Sequence, residues 1–84
     1  LTAALALQKT GWDVSVFERA PELREVGAGL TLWTNAVKVL RKLGVGEAVE
    51  AVSAPIQTSE LRSWRGKLLI RADFGALGQR LGAP

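Results

Sequence analysis

Glu18 is the first residue of this sequence placed to do chemistry. It ends the run Trp12-Asp13-Val14-Ser15-Val16-Phe17-Glu18. β-Branched and aromatic residues dominate that run and no Gly or Pro interrupts it, so a strand is predicted over Trp12–Glu18. In dinucleotide-binding β-α-β units an acid stands at the end of the second strand, ~20 residues beyond the phosphate-binding glycines. There a fixed carboxylate faces the nucleotide crevice and accepts hydrogen bonds from two ribose hydroxyls at once. Arg19 follows directly, and two roles stay open for it. It can lie beside an adenine or a phosphate, or it can pair at the surface with Glu22 or Glu25, a contact worth little. Further on, Gly27-Ala28-Gly29 supplies a bend before the short extended segment Leu30-Thr31-Leu32-Trp33.

These residues need elements to hold them. Leu1–Thr10 is apolar nearly all round and rich in Ala and Leu, strong helix formers. Gly11 sits where a helix-terminating glycine belongs. A helix and one glycine before a short apolar strand read as the second part of a β-α-β unit with a buried parallel strand. No glycine-rich phosphate loop occurs in the 84 residues. If one ended just before Leu1, Glu18 would stand about 18 residues beyond it, which fits the spacing. Opening in a helical pattern, without Met, the chain is expected to be an internal piece of a longer protein.

Downstream, Ala20–Glu25 reads as a loop, with room for one helical turn after Pro21. Asn35 is a good N-cap. A helix is predicted over Ala36–Leu43, with Ala36, Val39, Leu40 and Leu43 inward and Gly44 closing it. Glu47–Val52 follows as a second short helix, with Val45, Ala48, Val49 and Val52 inward. Gln57–Trp64 and Lys67–Phe74 read as two strands turning at Arg65-Gly66. Gly75–Pro84 reads as loop. Trp33 and Trp64 are expected to pack rather than stack on a substrate.

Composition narrows the classes further. A hydrophobic content of 48% excludes a disordered chain. The net charge of +3 is scattered, with no basic run longer than two, so no nucleic-acid footprint is expected. With neither Cys nor His, disulfides, thiolate sites and the commonest acid–base and metal-ligating side chain are excluded. No metal site and no catalytic residue are assigned. Lack of Cys fits a cytoplasmic location. No apolar run approaches the ~20 residues a spanning helix needs, so no membrane partner is expected.

The segment GWDVSVFERAPELREVGAGLTLWTNAVKVLRKLGVGEAV resembles the amino-terminal region of class A flavoprotein aromatic hydroxylases, FAD-dependent monooxygenases of the para-hydroxybenzoate and salicylate hydroxylase kind. A strand ending in Glu18-Arg19, then Gly27-Ala28-Gly29-Leu30, then Asn35-Ala36 and a helix closed by Leu43-Gly44 carry the resemblance. It is good for residues 1–52 and looser beyond.

The resemblance implies an α/β fold: a partial Rossmann-like, glutathione-reductase-type FAD-binding unit over residues 1–54, then a hairpin and tail of a β-rich substrate domain over residues 55–84. It implies FAD as cofactor, with Glu18 on the adenosine ribose, Arg19 along the AMP half and Thr31 touching the cofactor mainly through its backbone. It also implies hydroxylation of an aromatic or related small molecule with NAD(P)H and O₂. The phosphate-binding glycines and the family's later motifs are absent, so the chain alone is expected to be inactive and to bind FAD weakly or not at all. Two other classes stay open: part of an NAD(P)-dependent oxidoreductase, and a non-enzymatic partner-binding module.

Overall fold

The computed structural model describes all 84 residues, Leu1–Pro84. Its elements run α1 (Thr2–Lys9), α2 (Thr34–Lys42), α3 (Gly46–Ala51), β1 (Thr58–Arg62), β2 (Leu68–Asp73) and α4 (Phe74–Leu81). They fall into two compact units, Leu1–Leu32 and Trp33–Pro84. Helices α2 and α3 share a unit with the hairpin.

In the first unit α1 forms as its composition predicts. It closes with paired bonds from Gly11 N–H to the Gln8 carbonyl (3.1 Å) and from Trp12 N–H to the Leu7 carbonyl (3.2 Å). The predicted strand Trp12–Glu18 does not form. A parallel strand exists only by exchanging hydrogen bonds with a neighbour, and the chain's one sheet consists of β1 and β2 alone. No helical turn follows Pro21 either. The apolar side of α1 instead borders an open groove of about 400 Å³, lined by Leu1, Ala4, Leu5, Gln8, Val14 and Val16.

In the second unit α2 starts one residue before the predicted cap. Trp33 is the N-cap, with extended backbone, and Asn35 lies inside the helix without capping it. Val37 is the residue α2 buries, at 7% exposed. Ala36, Leu40 and Leu43 are half-buried and Val39 is exposed, so the inward stripe is rotated from the predicted one. Helix α3 packs against α2 at Gly46, which is buried. A Cβ there would stand 2.5 Å from Arg41 Cγ and 2.8 Å from Arg41 Cα. Since the Cα cannot move away without moving the helix, only glycine allows this approach.

Arg41 then ties the unit together. Its Nε and Nη2 donate to the two carboxylate oxygens of Glu50 on α3 (2.6 and 3.0 Å). Its Nη1 donates to the carbonyl of Gly82, the C-cap of α4 (3.0 Å). The fork of a guanidinium fits a carboxylate in this two-bonded way and keeps a donor for a third partner. Hydrogen bonding to Glu50 raises the Arg41 pKa, and the same bond lowers that of Glu50.

Strands β1 and β2 pair antiparallel, Thr58 opposite Asp73 through Leu61 opposite Ile70, with a bulge between Leu61 and Arg62. The hairpin is as predicted, but its turn centres on Trp64-Arg65. Gly66 follows at φ +88°, a conformation that favours glycine. The turn is pinned by Ser63 N–H to Lys67 C=O and Gly66 N–H to Ser63 C=O, both 2.8 Å. Residues 75–84 are not loop: α4 occupies most of them. Asp73 caps it by accepting from Ala76 N–H (2.8 Å), and Gly82 ends it in the left-handed conformation.

Three outcomes follow from this packing. Gly46→Ala should destabilise the second unit by about 1–3 kcal/mol in chemical denaturation, as overpacking does. Asp73→Ala should cost about 1 kcal/mol by the same measurement, the value of a lost N-cap. Because the Glu50 pKa is lowered on folding, its stabilising contribution is present above its unfolded pKa and is lost as pH falls through the folded one. Acid titration of thermal stability should therefore show a decline that Glu50→Gln flattens.

Candidate functional site

Glu18, Arg19 and Thr31 all lie in the first unit, on the segment that follows α1, and all are exposed. The local fold organises only the first of them. The Ala20 N–H donates to Glu18 Oε1 (2.9 Å). This bond, spanning two residues, fixes the carboxylate at the bend that follows the apolar run. It leaves Oε2 open to accept from a ligand.

Arg19 does not form either surface pair considered from sequence. Glu22 pairs with Arg24 instead, so the Arg19 guanidinium stays uncommitted. Gly27 has φ +95°, which explains glycine there without any ligand. Gly29 has no such conformation, and no atom lies within 4 Å of where its Cβ would be. Nothing within this chain therefore requires glycine at 29. Thr31 makes no side-chain hydrogen bond and sits in the extended piece that leads to Trp33.

From Asp13 to Thr34 no backbone N–H bonds to a backbone carbonyl. Phe17, Leu23, Val26 and Leu30 on this stretch are each more than four-fifths exposed. The segment presents carbonyls, N–H groups, one anchored carboxylate and one free guanidinium, a set suited to a polar ligand with hydroxyl and phosphate groups.

The two tryptophans singled out earlier diverge. Trp33 packs edge-on against Phe74, ring centroids 5.5 Å apart, as expected. Trp64 does not pack: it is 88% exposed at the tip of the hairpin, with the Arg65 guanidinium 4.7 Å from its ring centre. Turn residues are placed by backbone geometry rather than burial, which is why composition misjudged it. No group of His, Cys, Asp and Glu is placed to hold a metal ion. No helix is long and apolar enough to cross a membrane.

No family model and no solved structure matches the chain. Curated proteins do. An FAD-dependent urate hydroxylase of Klebsiella pneumoniae is 33% identical over 84 residues, covering 99% of this chain. A 3-amino-4-hydroxybenzoate 2-monooxygenase of Streptomyces cremeus is 42% identical over 86 residues, covering all of it. A 3-hydroxybenzoate 6-hydroxylase of Polaromonas naphthalenivorans is 41% identical over 88 residues, again covering all of it. The chain spans 22% of the length of these relatives. The resemblance to flavin-dependent aromatic hydroxylases thus holds along the whole chain, including the hairpin and tail where the motifs alone were looser.

The contrast between an unbonded segment and a clasped one is directly measurable. Limited trypsin digestion followed by mass spectrometry should cut first after Arg19 and Arg24 and markedly later after Arg41, which is held by Glu50 and Gly82.

Proposed function

We propose that this chain is part of the FAD-binding region of a monooxygenase that hydroxylates an aromatic or related small molecule with O₂ and NAD(P)H. The observation that carries the proposal is the similarity of the entire chain to hydroxylases and monooxygenases of aromatic substrates. In the whole protein, residues 1–54 would belong to a Rossmann-like cofactor domain and residues 55–84 to the start of the substrate domain. A cytoplasmic location fits the absence of cysteine.

The residues present suit the adenosine end of FAD. Glu18 has one oxygen held by a backbone N–H and one open, so it can receive ribose hydroxyls without first losing rotational freedom. Arg19, next to it and unpaired, supplies positive charge for the AMP phosphate. Gly29 offers backbone with empty space where a side chain would stand, so a flat or extended ligand can approach it closely. Thr31 continues that approach along the main chain. When bound, FAD supplies the electron transfer and oxygen chemistry. The part played by this chain is to hold and orient the nucleotide half, and none of its side chains moves a proton.

The test uses the longest polypeptide encoded in frame with this segment. It should purify with bound flavin, and Glu18→Ala should weaken FAD at least about tenfold in equilibrium dialysis, the effect of losing a charge-assisted hydrogen bond. Arg19→Ala should weaken it less and in a salt-dependent way. Retention of NAD rather than FAD would overturn the proposal.

A further inference from the structure

We infer that Trp33 and Thr34 are positioning residues for the cofactor: they fix the downstream end of the segment that presents Gly29 and Thr31. The inference rests on the FAD reading above. From Asp13 to Leu32 no backbone group exchanges a hydrogen bond with another. The side-chain tie to backbone on this stretch is that of Glu18 to Ala20. At Trp33 the chain becomes fixed. The Trp33 carbonyl accepts from Val37 N–H (3.0 Å) and opens α2. Its ring meets Phe74, the first residue of α4, edge-on with centroids 5.5 Å apart.

Thr34 holds the other end of the same helix. Its Oγ1 donates to the carbonyl of Ala83 (3.2 Å), just beyond the Gly82 cap of α4. Ala83 is 4% exposed, so this acceptor belongs to a buried residue. Hydroxyls at a helix start ordinarily bond to nearby backbone. That of Thr34 reaches 49 residues along the chain instead. Two adjacent residues therefore grip both ends of α4, and both contacts lie within the second unit.

The grip matters because of what directly precedes it. Thr31 stands two residues before Trp33, and Gly29 four. An extended chain spans at most ~3.5 Å per residue, which keeps Thr31 within about 7 Å of a fixed point and Gly29 within about 14 Å. A tethered end reduces the entropy lost when a ligand orders such a segment. Glu18 has its own anchor at Ala20. Thr31 makes no side-chain hydrogen bond, so its place along the cofactor depends on the tether.

Equilibrium dialysis of FAD against the longest polypeptide encoded in frame tests the inference. Thr34→Val keeps the shape and loses the donor. Its FAD dissociation constant should rise about three- to tenfold, the span of one neutral hydrogen bond. Thr34→Ser keeps the donor and should restore binding. Trp33→Leu loses the ring and stays apolar, and should weaken FAD likewise. Gly46→Ala, on α3, destabilises the same unit and should leave FAD affinity unchanged. Unchanged affinity in both Thr34→Val and Trp33→Leu would overturn the inference. So would a loss that Gly46→Ala reproduces, because the effect would then be one of stability alone. If Glu18→Ala weakens FAD while the Trp33 and Thr34 variants do not, this inference falls and the FAD reading stands. If the unsubstituted polypeptide retains no FAD, both fall.

Discussion

In the second unit one side chain links three helices. Arg41 projects from α2, grips both oxygens of Glu50 on α3, and reaches the carbonyl that ends α4. A neutral donor could satisfy one of these acceptors; only the planar guanidinium satisfies the carboxylate twice and the carbonyl once. The contact also explains Gly46. For Glu50 to meet Arg41, α3 must pass so close to α2 that the backbone at 46 touches the Arg41 main chain. A polar clasp and a steric gap are therefore two aspects of one packing arrangement.

Elements whose signals are local were legible. The Ala- and Leu-rich α1 with Gly11, the closure of α2 at Gly44, and the hairpin all follow from residues within a few positions. Elements that need a distant partner were not. The run ending in Glu18 has every property of a strand, yet strand character is realised only across a ladder, and this chain provides no neighbour for it. Helix α4 was hidden for the opposite reason. Gly75 and Gly78 lower helix propensity, while the Asp73 cap and the Gly82 stop are strong but small signals that the composition of the tail obscured.

The candidate site residues came from a different kind of signal. Glu18 and Arg19 were named from their position after an apolar run and from a resemblance, and the similarity to hydroxylases extends over the full chain. What sequence alone did not reveal was the local anchoring. Neither the Ala20 N–H holding one oxygen of Glu18, nor the pairing of Glu22 with Arg24 that leaves Arg19 uncommitted, follows from spacing. Both depend on where side chains turn at a bend. The same holds for Trp64, whose ring stands in solvent because the turn geometry puts it there.

The clasp of Arg41 also bears on how the second unit assembles. The hairpin closes across four turn residues, and the link from Arg41 to Glu50 joins residues nine apart. The links from Arg41 to Gly82 and from Thr34 to Ala83 span 41 and 49 residues. Closing those longer loops costs chain entropy that only the completed structure returns. These two links therefore close the largest loops of the second unit, and they hold its beginning against its end.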